Sequence, residues 1–310
     1  MSEESAPTTI STFYKFAELP EYKDWKGRLE TWGKKNQILG TIILASEGIN
    51  GTISGSKNQI NLFLNQIRKD SRFSDLTPRT TQSPRSTFYR LRILTRPEIV
   101  TLGDPAVSPN KAVGQYVEPG EWNKLIQDPM VRVIDTRNEY EVAIGTFKGA
   151  ENPHTQTFRE WTDYAKKNLD PQKKQKIAMF CTGGIRCEKA SSQLLDNGFD
   201  EVYHLKGGIL NYLEKVPADQ SEWEGECFIF DHRVSVVHGL KDGETMLCFG
   251  CRWPLAKEDL DSEKYEAGVS CPHCHDSLEE EKRASLRERN RQIRLAKERN
   301  LSHLGLQMPK

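Results

Sequence analysis

The chain has 310 residues, 36% hydrophobic and 28% charged; at roughly 100–200 residues per domain this implies two or three domains rather than one. No apolar run reaches the ~18 residues a membrane span needs, which excludes a transmembrane protein. Lys plus Arg and Asp plus Glu are 44 each, a formal net charge of 0, so attraction to a polyanion must come from local segregation of charge.

Residues 1–10 are small and polar, lack the basic and apolar regions of a signal peptide, and read as a disordered lead into a cytosolic protein. A first domain is expected over 11–102. It starts with a strand at Thr12–Phe16, then a helix over 21–36 on which Tyr22, Trp25, Leu29 and Trp32 recur every three or four positions. The apolar run Ile38–Ala45 and the glycine-punctuated stretch Ile49–Gly55 suggest a hairpin. A second helix follows over 57–70, with Ile60, Phe63, Leu64 and Ile67 on one face, and Phe88–Leu94 alternates as the last strand. The order βαββαβ predicts a ferredoxin-like (acylphosphatase-like) sandwich.

Residues 103–116, with Pro105, Pro109 and Gly114, read as a linker. A second domain is expected over 117–222. A short helix carries Trp122, Leu125 and Ile126; strands are expected at Val131–Asp135, at Met179–Phe180 and at Val202–Leu205, with a helix over 187–197. Alternating strands and helices imply a parallel α/β sheet. Residues 223–278 are too poor in aliphatics for an ordinary core and form a cysteine-rich segment. Residues 279–310 form a helical tail, with nine Lys/Arg against two Glu over 282–310.

The chain has seven cysteines, an odd count that in a reducing compartment points to catalysis or metal binding rather than a disulfide framework. Cys181, Thr182, Gly183, Gly184, Ile185 and Arg186 lie between a strand and a helix. There, loop amides and the helix N-terminus face the sulfur and favour a thiolate. The two glycines let the loop curl, and Arg186 supplies a positive charge for a bound anion. Cys187 either resolves a persulfide or sulfenate through a disulfide or is a small core residue.

Asp135, Arg137 and Glu141, then Gly145, Gly149, Ala150, Asn152 and His154, then the Cys181–Arg186 loop, then Leu205, Gly207, Gly208 and Ile209 follow in order the pattern of rhodaneses, which this region resembles. The resemblance implies a rhodanese-like domain in which Cys181 carries a persulfide sulfur. The related phosphatases have five residues between Cys and Arg; four stand here, which favours sulfur over phosphate. The family's frequent Gly-His-Ile is Gly145, Thr146 and Phe147 here, so a substrate-side histidine is missing. Asp135, Arg137 and Glu141 are expected to be structural, through buried ion pairs.

Glu47, Gly48, Ile49 and Asn50, then Asn138, Tyr140, Glu141 and Val142, and then Gly268 to Cys274 extend the likeness over about residues 12–290. In these the chain is similar to the TrhO family of rhodanese-type tRNA uridine hydroxylases. That resemblance implies oxygen-dependent conversion of the wobble uridine of tRNA to 5-hydroxyuridine, with Cys181 essential, molecular oxygen as co-substrate and the anticodon loop as the bound partner. Protein partners are not readable. No flavin or nicotinamide motif, Rossmann fingerprint or histidine–carboxylate iron triad is seen.

Cys248 and Cys251, then Cys271 and Cys274, form two Cys-x-x-Cys knuckles separated by 19 residues, a spacing suited to four thiolates around structural zinc. His273 and His275 are spare ligands, and Phe249 and Trp253 are candidates to shelter the site. Between Thr77 and Pro97 lie Arg79, Arg85, Arg90, Arg92 and Arg96 with no acidic residue, and Phe88 and Tyr89 among them. Arginine forks match phosphate and aromatics stack unpaired bases, so this stretch and the basic tail are the candidate RNA contacts. Two alternatives stand beside the hydroxylase: a plain sulfurtransferase carrying a persulfide on Cys181, and a catalytically idle RNA-binding rhodanese module.

Overall fold

The computed structural model describes residues 8–83 and 87–299. The first unit comprises β1 (Thr8–Phe16), α1 (Tyr22–Lys35), β2 (Leu39–Ala45), β3 (Gly48–Gly55), α2 (Lys57–Ile67), β4 (Arg79–Ser83) and β5 (Leu91–Thr95). Its sheet runs β4-β1-β3-β2-β5, with β5 parallel to β2 and the other pairs antiparallel. Trp25 and Leu29 of α1 and Phe63 and Leu64 of α2 bury one face of the sheet against Phe13 and Ile53. Ser56 starts α2 with a reciprocal pair of bonds to Gln59, satisfying two amides the helix leaves open.

Two expectations are corrected here. Residues 8–10 are not a lead-in: they already belong to β1, and Ile10 is buried; residues 1–7 lie outside the described residues. The ferredoxin-like fourth strand is β4, not the stretch after Phe88, which instead forms β5 as a fifth strand on the opposite edge. β4 escaped the sequence reading because Arg79, Thr80, Thr81, Gln82 and Ser83 have no apolar alternation, and an edge strand needs none to pair with β1.

The second unit comprises β6 (Gln115–Val117), α3 (Pro119–Ile126), β7 (Val131–Asp135), α4 (Glu139–Val142), β8 (Gly145–Phe147), α5 (Trp161–Asn168), β9 (Lys176–Phe180), α6 (Ile185–Asp196), β10 (Val202–Leu205) and α7 (Gly208–Lys215). A parallel sheet of order β6-β10-β9-β7 carries α3 and α7 in one core cluster and α5 and α6 in another. β11 (Trp223–Gly225) pairs with β8, and Trp223, Cys227, Ile229 and Val236 complete the first of those clusters. Residues 223–240, expected with the cysteine-rich segment, therefore pack as part of the α/β unit. Likewise Leu102 and Val107, at the linker, enter the second cluster.

A ribbon of β12 (Cys227–Phe228) and β13 (Ser235–Val236) leads to a second of β14 (Met246–Leu247) and β15 (Pro254–Leu255), a one-turn α8 (Lys257–Leu260) and the long α9 (Glu280–Glu298). Cys248, Leu255, Cys271 and Cys274 form a very small core. The side chains of Arg283 and Asn290 on α9 donate to the carbonyls of His275 and Ala267, and Arg287 pairs with Glu266, so the helix is seated on this segment. Residues 300–310 of the basic tail lie outside the described residues. No helix among the described residues is long and apolar enough to cross a membrane.

Candidate active site and metal centre

β9 is an inner strand buried on both faces, and its carboxyl end delivers Cys181 to the mouth of the sheet, where open α/β folds bind ligands. Gly184 caps α6 at φ +101°, a conformation other residues adopt only with strain, and its N–H donates to Cys181 Sγ at 3.1 Å. Behind the loop, the N–H groups of Ile209 and Leu210 at the start of α7 bond the carbonyls of Cys181 and Thr182 at 3.0 and 3.1 Å. A Cβ on Gly208 would stand 2.4 Å from the Cys181 carbonyl oxygen, so that close approach needs glycine.

Cys181 is 1% exposed. Burial by itself raises its pKa, but the Cys187 thiol, the Arg186 charge and the amides of Cys187 and Gly184 outweigh it and hold the thiol below its ordinary value. Burial and the neighbouring Cys181 push Cys187 the other way, well up, and Thr136 Oγ1 lies 3.5 Å from its sulfur. The two sulfurs are thus biased in opposite directions, Cys181 toward the thiolate and Cys187 toward the thiol.

Arg186, expected as a cation for a bound anion, is committed to Glu141. Its Nη1 and Nη2 donate to the two carboxylate oxygens at 2.6 and 2.7 Å, and Nη2 also reaches Thr182 Oγ1 at 3.3 Å. Glu141 is wholly buried and further accepts from Thr182 Oγ1 and from the Asn138 N–H. Glu141 therefore orients the loop arginine, a closer tie to the cysteine loop than the structural role expected of it. Asp135 and Arg137 form a separate buried pair at 2.6 Å, with Arg137 lying over the Trp223 ring at 5.1 Å.

The first unit closes over this loop. Tyr14, Phe16 and Ala45 pack with Ile99 and Ile185 across the junction. Lys189 of α6, fully buried, pairs with Glu47 at 2.8 Å and Glu98 at 2.5 Å. Glu47 Oε1 also accepts the Ile99 N–H, and Asn50 donates to the Ile99 carbonyl, so Glu47 and Asn50 fix the chain that joins the two units. Tyr14 OH donates to Glu188 at 2.7 Å and Tyr116 OH does so at 2.9 Å. The outcome is a cleft of about 1310 Å³ with Cys181, Thr182, Gly183 and Arg186 on one wall and Thr12, Tyr14, Arg79 and Arg96 on the other.

The expected RNA contacts divide. Arg79 lines the cleft and pairs with Glu214 of α7, while Arg96 lines it from an exposed position. Tyr89, Arg90 and Arg92 are exposed and line a second hollow of about 610 Å³ with Phe230, His232 and Trp253. Phe88 lines both cavities, and the Tyr89 and His232 rings lie 4.2 Å apart. Arg85 lies outside the described residues.

The ligand atoms of Cys248, Cys251, Cys271 and Cys274 all lie within 4.8 Å of one another. The pairs Cys248–Cys274, Cys251–Cys271 and Cys271–Cys274 stand at 3.8, 3.7 and 4.0 Å. Tetrahedral zinc with Zn–S near 2.3 Å separates its sulfurs by about 3.8 Å, so the four thiols fit that ion. His273 is not part of the set: it stacks on Trp253 at 4.7 Å and meets Asp259, and His275 meets Asp276.

Sequence reasoning missed Tyr14, Glu188 and Lys189, because no local pattern marks them. The Asn138–Glu141 capping box was the one local sign that Glu141 is oriented.

Comparison with known proteins matches residues 8–99 to a family described as UPF0176 acylphosphatase like domain and residues 118–215 to the Rhodanese-like domain. The chain is 54% identical over 275 residues to the tRNA uridine(34) hydroxylase of Picosynechococcus sp., covering 89% of this chain and 92% of that protein. It is 51% identical over 293 residues to the tRNA uridine(34) hydroxylase of Acaryochloris marina, covering 94% of each.

Proposed function

This chain belongs to the tRNA uridine(34) hydroxylase family, and from that premise we propose that it converts the wobble uridine of tRNA to 5-hydroxyuridine in the cytosol, with Cys181 as the essential thiol. The observation that carries the reading is a buried cysteine on the wall of a large cleft between two domains, in a loop whose Gly184 amide donates to its sulfur. A thiolate adding to C6 of the uracil ring makes C5 electron-rich and open to oxidation. Dioxygen is the oxidant: one oxygen atom enters at C5, and the other leaves as water with two electrons and two protons from an external reductant.

An anticodon loop offers unstacked bases, so the uridine reaches the cleft without duplex melting. Arg79 and Arg96 line that cleft, and Tyr89, Arg90 and Arg92 line the adjoining hollow. These positions support backbone contacts along the strand and stacking of a neighbouring base. Zinc held by Cys248, Cys251, Cys271 and Cys274 would supply folding stability to the C-terminal segment, since four protein ligands leave no open position for chemistry.

The test is mass spectrometry of nucleosides from tRNA incubated with the wild type and with Cys181→Ser, in air and under nitrogen. A uridine gaining one oxygen only with the wild type and only in air is the expected result. Absence of that product in all arms, with a persulfide on Cys181 after thiosulfate treatment, refutes it in favour of sulfur transfer.

A further inference from the structure

Four carboxylates line the cleft that holds Cys181: Asp75, Glu98, Glu188 and Glu214. Three are committed to cations. Asp75 pairs with Lys15 at 2.7 Å, Glu98 with Lys189, and Glu214 with Arg79. Glu98 additionally accepts the N–H groups of Leu102 and Gly103. Glu188 has no ion pair among the described residues. It is held by two neutral hydroxyls, Tyr14 from the first unit and Tyr116 from β6, both donating to Oε1. That geometry leaves Oε2 with no protein hydrogen-bond donor among the described residues.

Glu188 stands one residue beyond Cys187 on α6. The site of a Gly184 Cβ is 2.9 Å from the Tyr14 hydroxyl, so the tyrosine that aligns Glu188 rests against the cysteine loop itself. A carboxylate bonded to a cation is too well stabilised as an anion to accept a proton readily; one held by neutral donors in a half-buried place is more basic. Burial first, with the charge of Cys181 among the lesser causes, raises the Glu188 pKa against the lowering effect of the Tyr14 and Tyr116 hydrogen bonds and of the Lys15 charge.

We propose that Glu188, aligned by Tyr14 and Tyr116, is the base that removes the C5 proton once the uracil ring is hydroxylated. This rests on the reading that Cys181 adds to C6. In the step the C5–H bond breaks and its electron pair forms the C5=C6 bond. The C6–S bond breaks, its pair returning to Cys181 as thiolate, and the proton goes to Glu188 Oε2. No oxidant or reductant is consumed.

The experiment compares the wild type, Glu188→Gln, Glu188→Asp and Tyr14→Phe on tRNA carrying uridine or 5-deuterouridine, with tRNA binding measured separately. Gln keeps the carbonyl oxygen that receives both hydroxyls. Glu188→Gln is expected to lose on the order of 100-fold or more in kcat with tRNA affinity retained, to show a deuterium isotope effect larger than the wild type's, and to accumulate a protein–tRNA adduct on denaturing gels that Cys181→Ser/Glu188→Gln lacks. Partial activity in Glu188→Asp and a smaller loss in Tyr14→Phe are expected as well. A Glu188→Gln enzyme of near wild-type rate, or a slow one with neither isotope effect nor adduct, overturns the role of Glu188. Full hydroxylation by Cys181→Ser overturns the premise, and with it the elimination step, whatever Glu188→Gln does.

Discussion

Replacing Glu141 by Gln separates what the buried charge network does for stability from what it does for Cys181. In the parent, Glu141 is fully buried, meets both Arg186 nitrogens at 2.6 and 2.7 Å and accepts from Thr182 and Asn138. Gln preserves the shape but leaves Arg186 buried without a counter-charge, and breaking a buried pair in this way costs about 3–5 kcal/mol. For a unit of this size that corresponds to a fall in Tm on the order of 10–20 °C in scanning calorimetry. Burial alone raises the Glu141 pKa, but Arg186, Arg137 and the Asn138 amide bring it below the ordinary carboxylate value. The stability it contributes is therefore present above the unfolded pKa of about 4.3 and is lost as pH falls through the lower folded value. The gap in Tm between parent and variant should shrink across that acid window. Because the Arg186 charge is no longer neutralised, alkylation of Cys181 at mildly acidic pH should rise, not fall. The double variant Glu141→Leu/Arg186→Met should regain most of the stability while losing Cys181 reactivity. A Glu141→Gln protein melting within about 2 °C of the parent, a shift worth less than ~1 kcal/mol, refutes the assignment of Glu141 as the counter-ion that holds the loop.

Four further outcomes are expected. Iodoacetamide labelling of Cys181, followed by peptide mass spectrometry, should reach half its maximal rate at a pH below the ~8.5 of a free thiol, since the folded pKa is depressed; Arg186→Met should move that midpoint up, and an unmoved midpoint contradicts the electrostatic account. Elemental analysis should find one zinc per chain, and Cys271→Ser should lose it together with resistance of the C-terminal segment to protease; zinc-free protein that resists protease equally well contradicts a structural metal. Gly208→Ala forces a side chain at φ +67° into the Cys181 carbonyl and should cost more than ~1 kcal/mol, read as lowered Tm with slower Cys181 alkylation. Tyr89→Ala should weaken tRNA binding by the ~1–3 kcal/mol of one stacked base, while Cys181 alkylation stays as in the parent.

Local features were legible from the chain alone. The periodicity of Trp25, Leu29, Ile60 and Phe63 marks α1 and α2 because helix faces repeat every 3.6 residues. Cys181 to Arg186 and the two Cys-x-x-Cys knuckles are legible for a related reason: a loop that cradles sulfur and a pair of knuckles each need particular residues at fixed short spacing.

Only the tertiary structure decided what those loops face. Tyr14 and Glu188 lie 174 positions apart, Lys189 and Glu98 lie 91 apart, and Arg186 and Glu141 lie 45 apart. No spacing rule links residues across such distances, because the contacts are made by tertiary packing, between the units for Tyr14 and Glu188 and within the α/β unit for Arg186 and Glu141, rather than by the backbone's own period. The same holds for β4, whose polar edge pairs through its backbone to β1 and carries no side-chain signal. It holds too for residues 223–240, whose sparse aliphatics look insufficient for a core until β8 and α7 supply the rest. Sequence by itself singled out the sulfur proposed to be activated and the four sulfurs that lie close enough together to hold zinc. Packing of the first unit onto the α/β unit decided which carboxylate in the cleft is left without a cation, because that depends on which lysines and arginines arrive from the other side.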